Sequence, residues 1–241
     1  AIAFLAAFDT GDHIAIATPG YPAYRNLMTA LGLVPDLIPA RSAEGWMPNL
    51  QALSNSGKIP EGLLLASPAN PTGVVIADDE LAKICKWCDK HGVRLIMDEI
   101  YHGLTYKGRV ASALKFSQKA IIINSFSKYF CMTGWRLGWM ILPDDLVDNA
   151  EKIAQNLFIS APTANQLGAV AAFDCYNELD SHLPLYKENQ DRLLKGLPKE
   201  FLGQHAPTDG AFYLYVDISA FSTDSLDFSQ RLLSQAGVAV T

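Results

Sequence analysis

Three short apolar runs each lead directly into a cluster of polar residues. Gly62 to Ala66 leads into Ser67-Pro68-Ala69-Asn70-Pro71-Thr72-Gly73, and Val93 to Met97 leads into Asp98-Glu99-Ile100-Tyr101. Ala120 to Ile123 leads into Asn124-Ser125-Phe126-Ser127-Lys128. Almost wholly apolar runs of this length suit strands buried on both faces, as parallel strands are. In open α/β sheets, ligands bind outside the carboxyl ends of such strands, so Asn, Asp, Tyr, Ser and Lys are expected to converge on one place. A set of this kind suits an aldehyde cofactor with a pyridine ring, a phenolic oxygen and a phosphate. That cofactor needs a Lys amine for the imine, an anion at the ring nitrogen, donors at the phenolic oxygen, and cationic or hydroxyl groups at the phosphate. Lys128, Asp98, the pair Asn70 and Tyr101, and Ser125 with Arg136 match those needs in turn. A carboxylate at Asp98 would keep the ring nitrogen protonated, so that the ring absorbs the electrons left when a substrate Cα proton departs.

The elements that must hold these residues follow the same alternation. Apolar runs alternate with helical patterns, which favours βαβ units and a mainly parallel sheet. His13 to Ala17 reads as a strand, Tyr21 to Leu31 as a helix and Leu33 to Ile38 as a strand. Asp78 to His91 has three acids in its first turn and Gly92 just past its end, which are helix start and stop signals. Pro143 to Phe158 is amphipathic, and helices follow around Ala164 to Cys175 and Asn177 to Leu194. Gly210 to Ile218 alternates like a strand, and Ser225 to Ala236 reads as a helix. The expected division is a large ligand-binding domain over 1–158, and connecting helices with a small α+β domain over 159–241.

The segments A-S-P-A-N-P-T-G, M-D-E-I-Y and N-S-F-S-K-Y-F-C-M-T-G-W-R-L-G-W resemble the class I/II aminotransferases of pyridoxal-phosphate (PLP) fold-type I. They occur in that family's order and spacing, including the interval from Lys128 to Arg136. The resemblance implies a seven-stranded type of mainly parallel sheet between helices. It also implies transamination between an L-amino acid and a 2-oxo acid through a Lys128 Schiff base, with Lys128 then moving the proton between Cα and C4′. Asn70 and Tyr101 would bond the phenolic oxygen, Asp98 the pyridinium, and Ser125 and Arg136 the phosphate. Tyr21, in T-P-G-Y-P-A-Y, matches the position of an aromatic ring stacked on the cofactor, with Tyr24 close by. A cytoplasmic homodimer is implied for the full-length protein. The family's N-terminal phosphate-binding turn and its substrate-carboxylate Arg fall outside these residues, so the chain alone is expected to be inactive.

Rival readings leave residues without work. Ser125-Phe126-Ser127-Lys128 is formally S-x-x-K, the nucleophile motif of penicillin-binding proteins and class A β-lactamases, but the accompanying S-D-N and K-T-G are missing. Another fold-type I chemistry such as β-elimination, or a PLP-sensing domain of a transcription regulator, would use the same pocket. No helix-turn-helix is recognisable here. The net charge of −6 argues against nucleic acid as the main partner. No apolar run reaches bilayer-spanning length. Cys85 and Cys88, at i and i+3 on a helix, read as core with Leu81 and Ile84. The five histidines show no metal spacing, so no metal is expected. The chain opens on the apolar helical run Ala1 to Phe8 and stops on the apolar, strand-like run Gly237 to Thr241. It therefore reads as a piece of a longer protein, with apolar surface expected near Phe4, Phe8 and Val240.

Overall fold

The computed structural model describes residues 1–49, 53, 57–201 and 205–241. Six strands form one sheet in the order β2-β1-β3-β4-β5-β6. They are β1 (His13–Thr18), β2 (Val34–Pro39), β3 (Gly62–Ala66), β4 (Arg94–Asp98), β5 (Ile121–Ser125) and β6 (Gly138–Ile141). The first five run parallel, and only β6 is antiparallel to its neighbour.

Period-two alternation sends successive side chains to opposite faces, and here both faces are covered. Leu63, Leu65, Leu95, Met97 and Ile122 pack on one side against Leu81, Ile84, Cys85 and Cys88 of α3 (Asp78–His91). Ile14, Ile16, Leu64, Ile96 and Ile121 face the other way, toward α1 (Ile2–Ala7), α2 (Pro22–Ala30) and α4 (Asp144–Leu157). Such two-sided cover is why these strands read as unbroken apolar runs. The two helix cysteines are core residues, and burial pushes their thiols up to about 11 and about 12 for Cys85 and Cys88. α3 ends at Gly92 in the left-handed region, as its stop signal predicts.

After α4 come α5 (Thr163–Ala172), α6 (Tyr176–Asp180), α7 (Leu183–Gly196) and α8 (Ser225–Ala236). Three expectations change here. The single helix expected over Asn177 to Leu194 is broken between α6 and α7. Pro184 stands in the first turn of α7, where its missing N–H is harmless, but it cannot continue a helix arriving from α6. Gly210 to Ile218 forms only isolated bridges, Thr105 with Gly210 and His205 with Val216, because no neighbouring strand lies beside it among the described residues. Gly237 to Thr241 is not a strand either.

Phe4 also departs from expectation. It is buried, its ring 6.4 Å from that of Phe8, and α1 packs against α4. At that end apolar exposure falls on Leu5 instead, while at the far end Val238 and Val240 are exposed as expected.

Candidate functional site

The register of the sheet levels the strand ends. Ala66 pairs with Asp98 and Asp98 with Ile123. The Ser67 N–H donates to the Asp98 carbonyl at 3.1 Å, and the Glu99 N–H to the Ile123 carbonyl at 2.8 Å. Asn70, Asp98, Tyr101 and Lys128 therefore leave β3, β4 and β5 at the same edge. Tyr21 and Tyr24 reach it from the end of β1, where α2 begins.

Asp98 and Glu99 part company at this edge. Glu99 is buried and its Oε1 accepts from the Ala113 N–H (2.9 Å) and the Ser112 hydroxyl (3.0 Å). It is a structural carboxylate. Asp98 faces the site, where its Oδ2 accepts from the Tyr24 hydroxyl at 2.5 Å and its Oδ1 from the Ile100 N–H at 3.0 Å. Burial pushes the Asp98 pKa above the usual carboxylate range. The Tyr24 and Ile100 donors and the Lys128 charge oppose that rise. Tyr24 is itself held well above an ordinary phenol, first by burial and then by the Asp98 charge.

Tyr101 is buried, and its hydroxyl shares a short hydrogen bond with the Tyr213 hydroxyl, which also accepts from Asn70 Nδ2 at 3.2 Å. Burial, with the Tyr213 contact second, raises the Tyr101 pKa. The Lys128 Nζ lies 5.7 Å from the centroid of the Tyr101 ring and 5.5 Å from that of Phe212, within cation–π reach of both. Tyr21 is exposed and meets Tyr24 edge-on, their centroids 5.5 Å apart.

Lys128 and Arg136 share one loop. It leaves β5 at Ser125 and returns to β6, closed by Phe126 N–H to Leu137 O (3.1 Å) and by the Ser125 hydroxyl to Leu137 O (3.0 Å). The Ser125 hydroxyl also lies 2.9 Å from that of Ser127. Inside the loop, the Cys131 N–H donates to Lys128 O at 3.0 Å and the Met132 N–H to Phe126 O at 3.0 Å. Arg136 sits in the left-handed region with φ 52°, its Nη1 donating to Thr133 O at 2.9 Å. A non-glycine residue there is uncommon, and strain of this kind concentrates at sites where the surroundings dictate it.

The edge thus collects an amine, a half-buried carboxylate and an amide with two phenols, and the loop that carries the amine also carries the Ser125 hydroxyl and Arg136. Two participants escaped sequence reading. Tyr24 was noted only as a neighbour of Tyr21, and Tyr213 was assigned to a strand with no part in the site. The T-P-G-Y-P-A-Y segment carried a signal for Tyr24, since it follows a strand that ends at the same edge. Tyr213 had no local signal.

Comparison with known proteins identifies the family. The family model for aminotransferase class I and II matches residues 1–241. A Mycobacterium tuberculosis protein named valine–pyruvate aminotransferase is 46% identical, over 99% of this chain and 63% of its own length. An aspartate aminotransferase of Sulfurisphaera tokodaii is 32% identical, over 98% of this chain and 62% of its own. Among solved structures, an aminotransferase from M. tuberculosis superposes with a TM-score of 0.96 at 46% identity, covering 100% of this chain and 63% of that one. The chain therefore spans just under two thirds of the length of these relatives. It belongs to the class I and II aminotransferases, a pyridoxal-phosphate-dependent family with the aspartate aminotransferase fold.

Proposed function

We propose that this chain forms the cofactor-bearing part of an enzyme that transfers an amino group between an L-amino acid and a 2-oxo acid, with Lys128 holding pyridoxal phosphate. The observation that carries this reading is the meeting, at one level sheet edge, of the Lys128 amine with a half-buried carboxylate at Asp98 and the Asn70–Tyr101 donor pair. The cofactor's aldehyde, ring nitrogen and phenolic oxygen each have a chemically suited partner in that set.

When bound, the cofactor supplies an electrophilic carbon for an amine and a ring that takes up the electron pair left by a departing Cα proton. The chain's own residues do the rest. Lys128 would hold the cofactor and serve as the amine that takes and returns the substrate Cα proton. Asp98 would hold the ring nitrogen. Burial alone favours its neutral form, but a cationic ring nitrogen beside it favours the carboxylate, so each charge stabilises the other. Tyr24 and the Ile100 N–H fix the direction of that carboxylate. Asn70 and Tyr101 donate at the phenolic oxygen, Ser125 and Arg136 take the phosphate, and Tyr21 stacks on the ring.

Tyr101, Phe212 and Tyr213 make an aromatic wall beside Lys128. That wall, and the name of the 46% identical relative, support an apolar amino donor with pyruvate as acceptor. Residues 1–158 act as the cofactor domain and 159–241 as connecting helices and small domain. A cytoplasmic homodimer agrees with the family resemblance, and the net charge of −6 agrees with small-molecule rather than nucleic-acid partners.

Borohydride reduction of the intact protein loaded with pyridoxal phosphate tests the central assignment. Peptide mass spectrometry should place the adduct on Lys128, and turnover should be lost in Lys128→Ala. An adduct on Lys115 or Lys119 would refute the assignment. In parallel, the 2-oxo acid formed from valine should exceed that from aspartate.

A further inference from the structure

Tyr213 enters the site from a distant part of the sequence, and backbone contacts fix its approach. The Gly210 N–H donates to Gly73 O (2.9 Å), the Ala211 N–H to Leu104 O (2.8 Å), and the Tyr106 hydroxyl to Ala211 O (2.6 Å). Ala211 sits in the left-handed region at φ 58°. Gly210 lies so close to the β3 end that a Cβ there would stand 2.5 Å from Pro68 Cγ and 2.9 Å from Leu104 O. This segment has one place to sit.

Counting protons leaves the hydroxyl network two directions. An amide nitrogen only donates, so the Tyr213 oxygen accepts from Asn70 Nδ2. That oxygen keeps a further lone pair, so either of the two phenols can donate to the other. Only when Tyr213 donates to Tyr101 does the Tyr101 proton point away from Tyr213, and only then does it serve the phenolic oxygen assigned to Tyr101 above.

We propose that Tyr213 is a positioning residue: its hydroxyl, oriented by Asn70, holds Tyr101 as a donor toward the phenolic oxygen of the bound cofactor. This deepens the reading of Tyr101 given above and rests on it. A donor at that oxygen favours its anionic form, so it lowers the pH at which the bound cofactor loses the proton shared between its phenolic oxygen and the lysine nitrogen. Ring packing cannot do this. The T-shaped contact of Tyr101 with Tyr213, centroids 5.6 Å apart, would survive replacement of Tyr213 by Phe, whereas the proton chain would not.

The test is a pH titration of the cofactor's visible absorbance in the intact protein, for wild type, Tyr101→Phe, Tyr213→Phe and the double variant. Cofactor affinity is followed alongside by fluorescence. Tyr101→Phe should raise the midpoint by about 1–2 pH units, as loss of a hydrogen bond to a charged group does. Tyr213→Phe should raise it by roughly half a unit, and by nothing further once Tyr101 is Phe, because residues acting through one another do not add. An unmoved midpoint in Tyr213→Phe, or an equal shift in both backgrounds, overturns the proposal. If Tyr101→Phe itself leaves the midpoint unmoved, the assignment of Tyr101 fails and takes the proposal with it.

Discussion

The residues before Phe158 and those after it are built to different standards. In the first region every central strand is covered on both faces, and Ile14, Leu63 and Ile121 are wholly excluded from water. In the second, neither α7 nor α8 buries a residue, and Leu185, Leu193, Leu226 and Leu233 are each more than half exposed. Yet it is the loosely packed region that delivers Phe212 and Tyr213 to Lys128. The Gly210–Tyr213 segment contrasts with α7 and α8, since Ala211 is fully buried, as is Ala206 shortly before it. Precision at the site thus comes from a few backbone contacts to a rigid sheet, without needing a well-packed unit behind them.

This contrast can be broken or sharpened by substitution, starting where the loss should be greatest. Leu63→Ala in β3 removes a side chain that is 0% exposed, and chemical denaturation should show about 2–5 kcal/mol lost. Gly210→Ala forces a Cβ against Pro68 and the Leu104 carbonyl, neither of which yields easily. It should cost about 1–3 kcal/mol and weaken cofactor binding, because Tyr213 is displaced. If affinity is untouched, the segment is not what holds Tyr213. Leu233→Ala in α8, at a side chain 55% exposed, should change stability by no more than about 0.5 kcal/mol. A cost like that of Leu63 would erase the distinction between the two regions.

What could be read from sequence follows the same division. Parallel strands between helices put their carboxyl ends at one edge, so Asn70, Asp98, Tyr101 and Lys128 could be gathered from local patterns alone. The start and stop signals of α3 also held, since helix ends are set by local chemistry. β6 was not read as a strand, because Gly138–Ile141 is short and opens on glycine. The alternation of Gly210 to Ile218 misled. Ala211, Phe212 and Tyr213 turn toward the aromatic cluster around Tyr101 and Tyr186, and Tyr215 meets Trp46, so the run does not present one face to a sheet. The Tyr24–Asp98 and Tyr101–Tyr213 bonds join residues 74 and 112 positions apart. Such pairs carry no spacing rule, so only the folded chain reveals them.

The closed loop from Ser125 to Leu137 has one more consequence. Because Lys128 and Arg136 ride on a single ring of backbone pinned at its neck, their two side chains start from fixed points, and only their own rotamers adjust the span between amine and guanidinium. If the two cations hold one ligand as proposed, the ring bounds the distance from that ligand's electrophilic carbon to its anionic tail. Inserting or deleting one residue in the loop would shift that bound without replacing either cation.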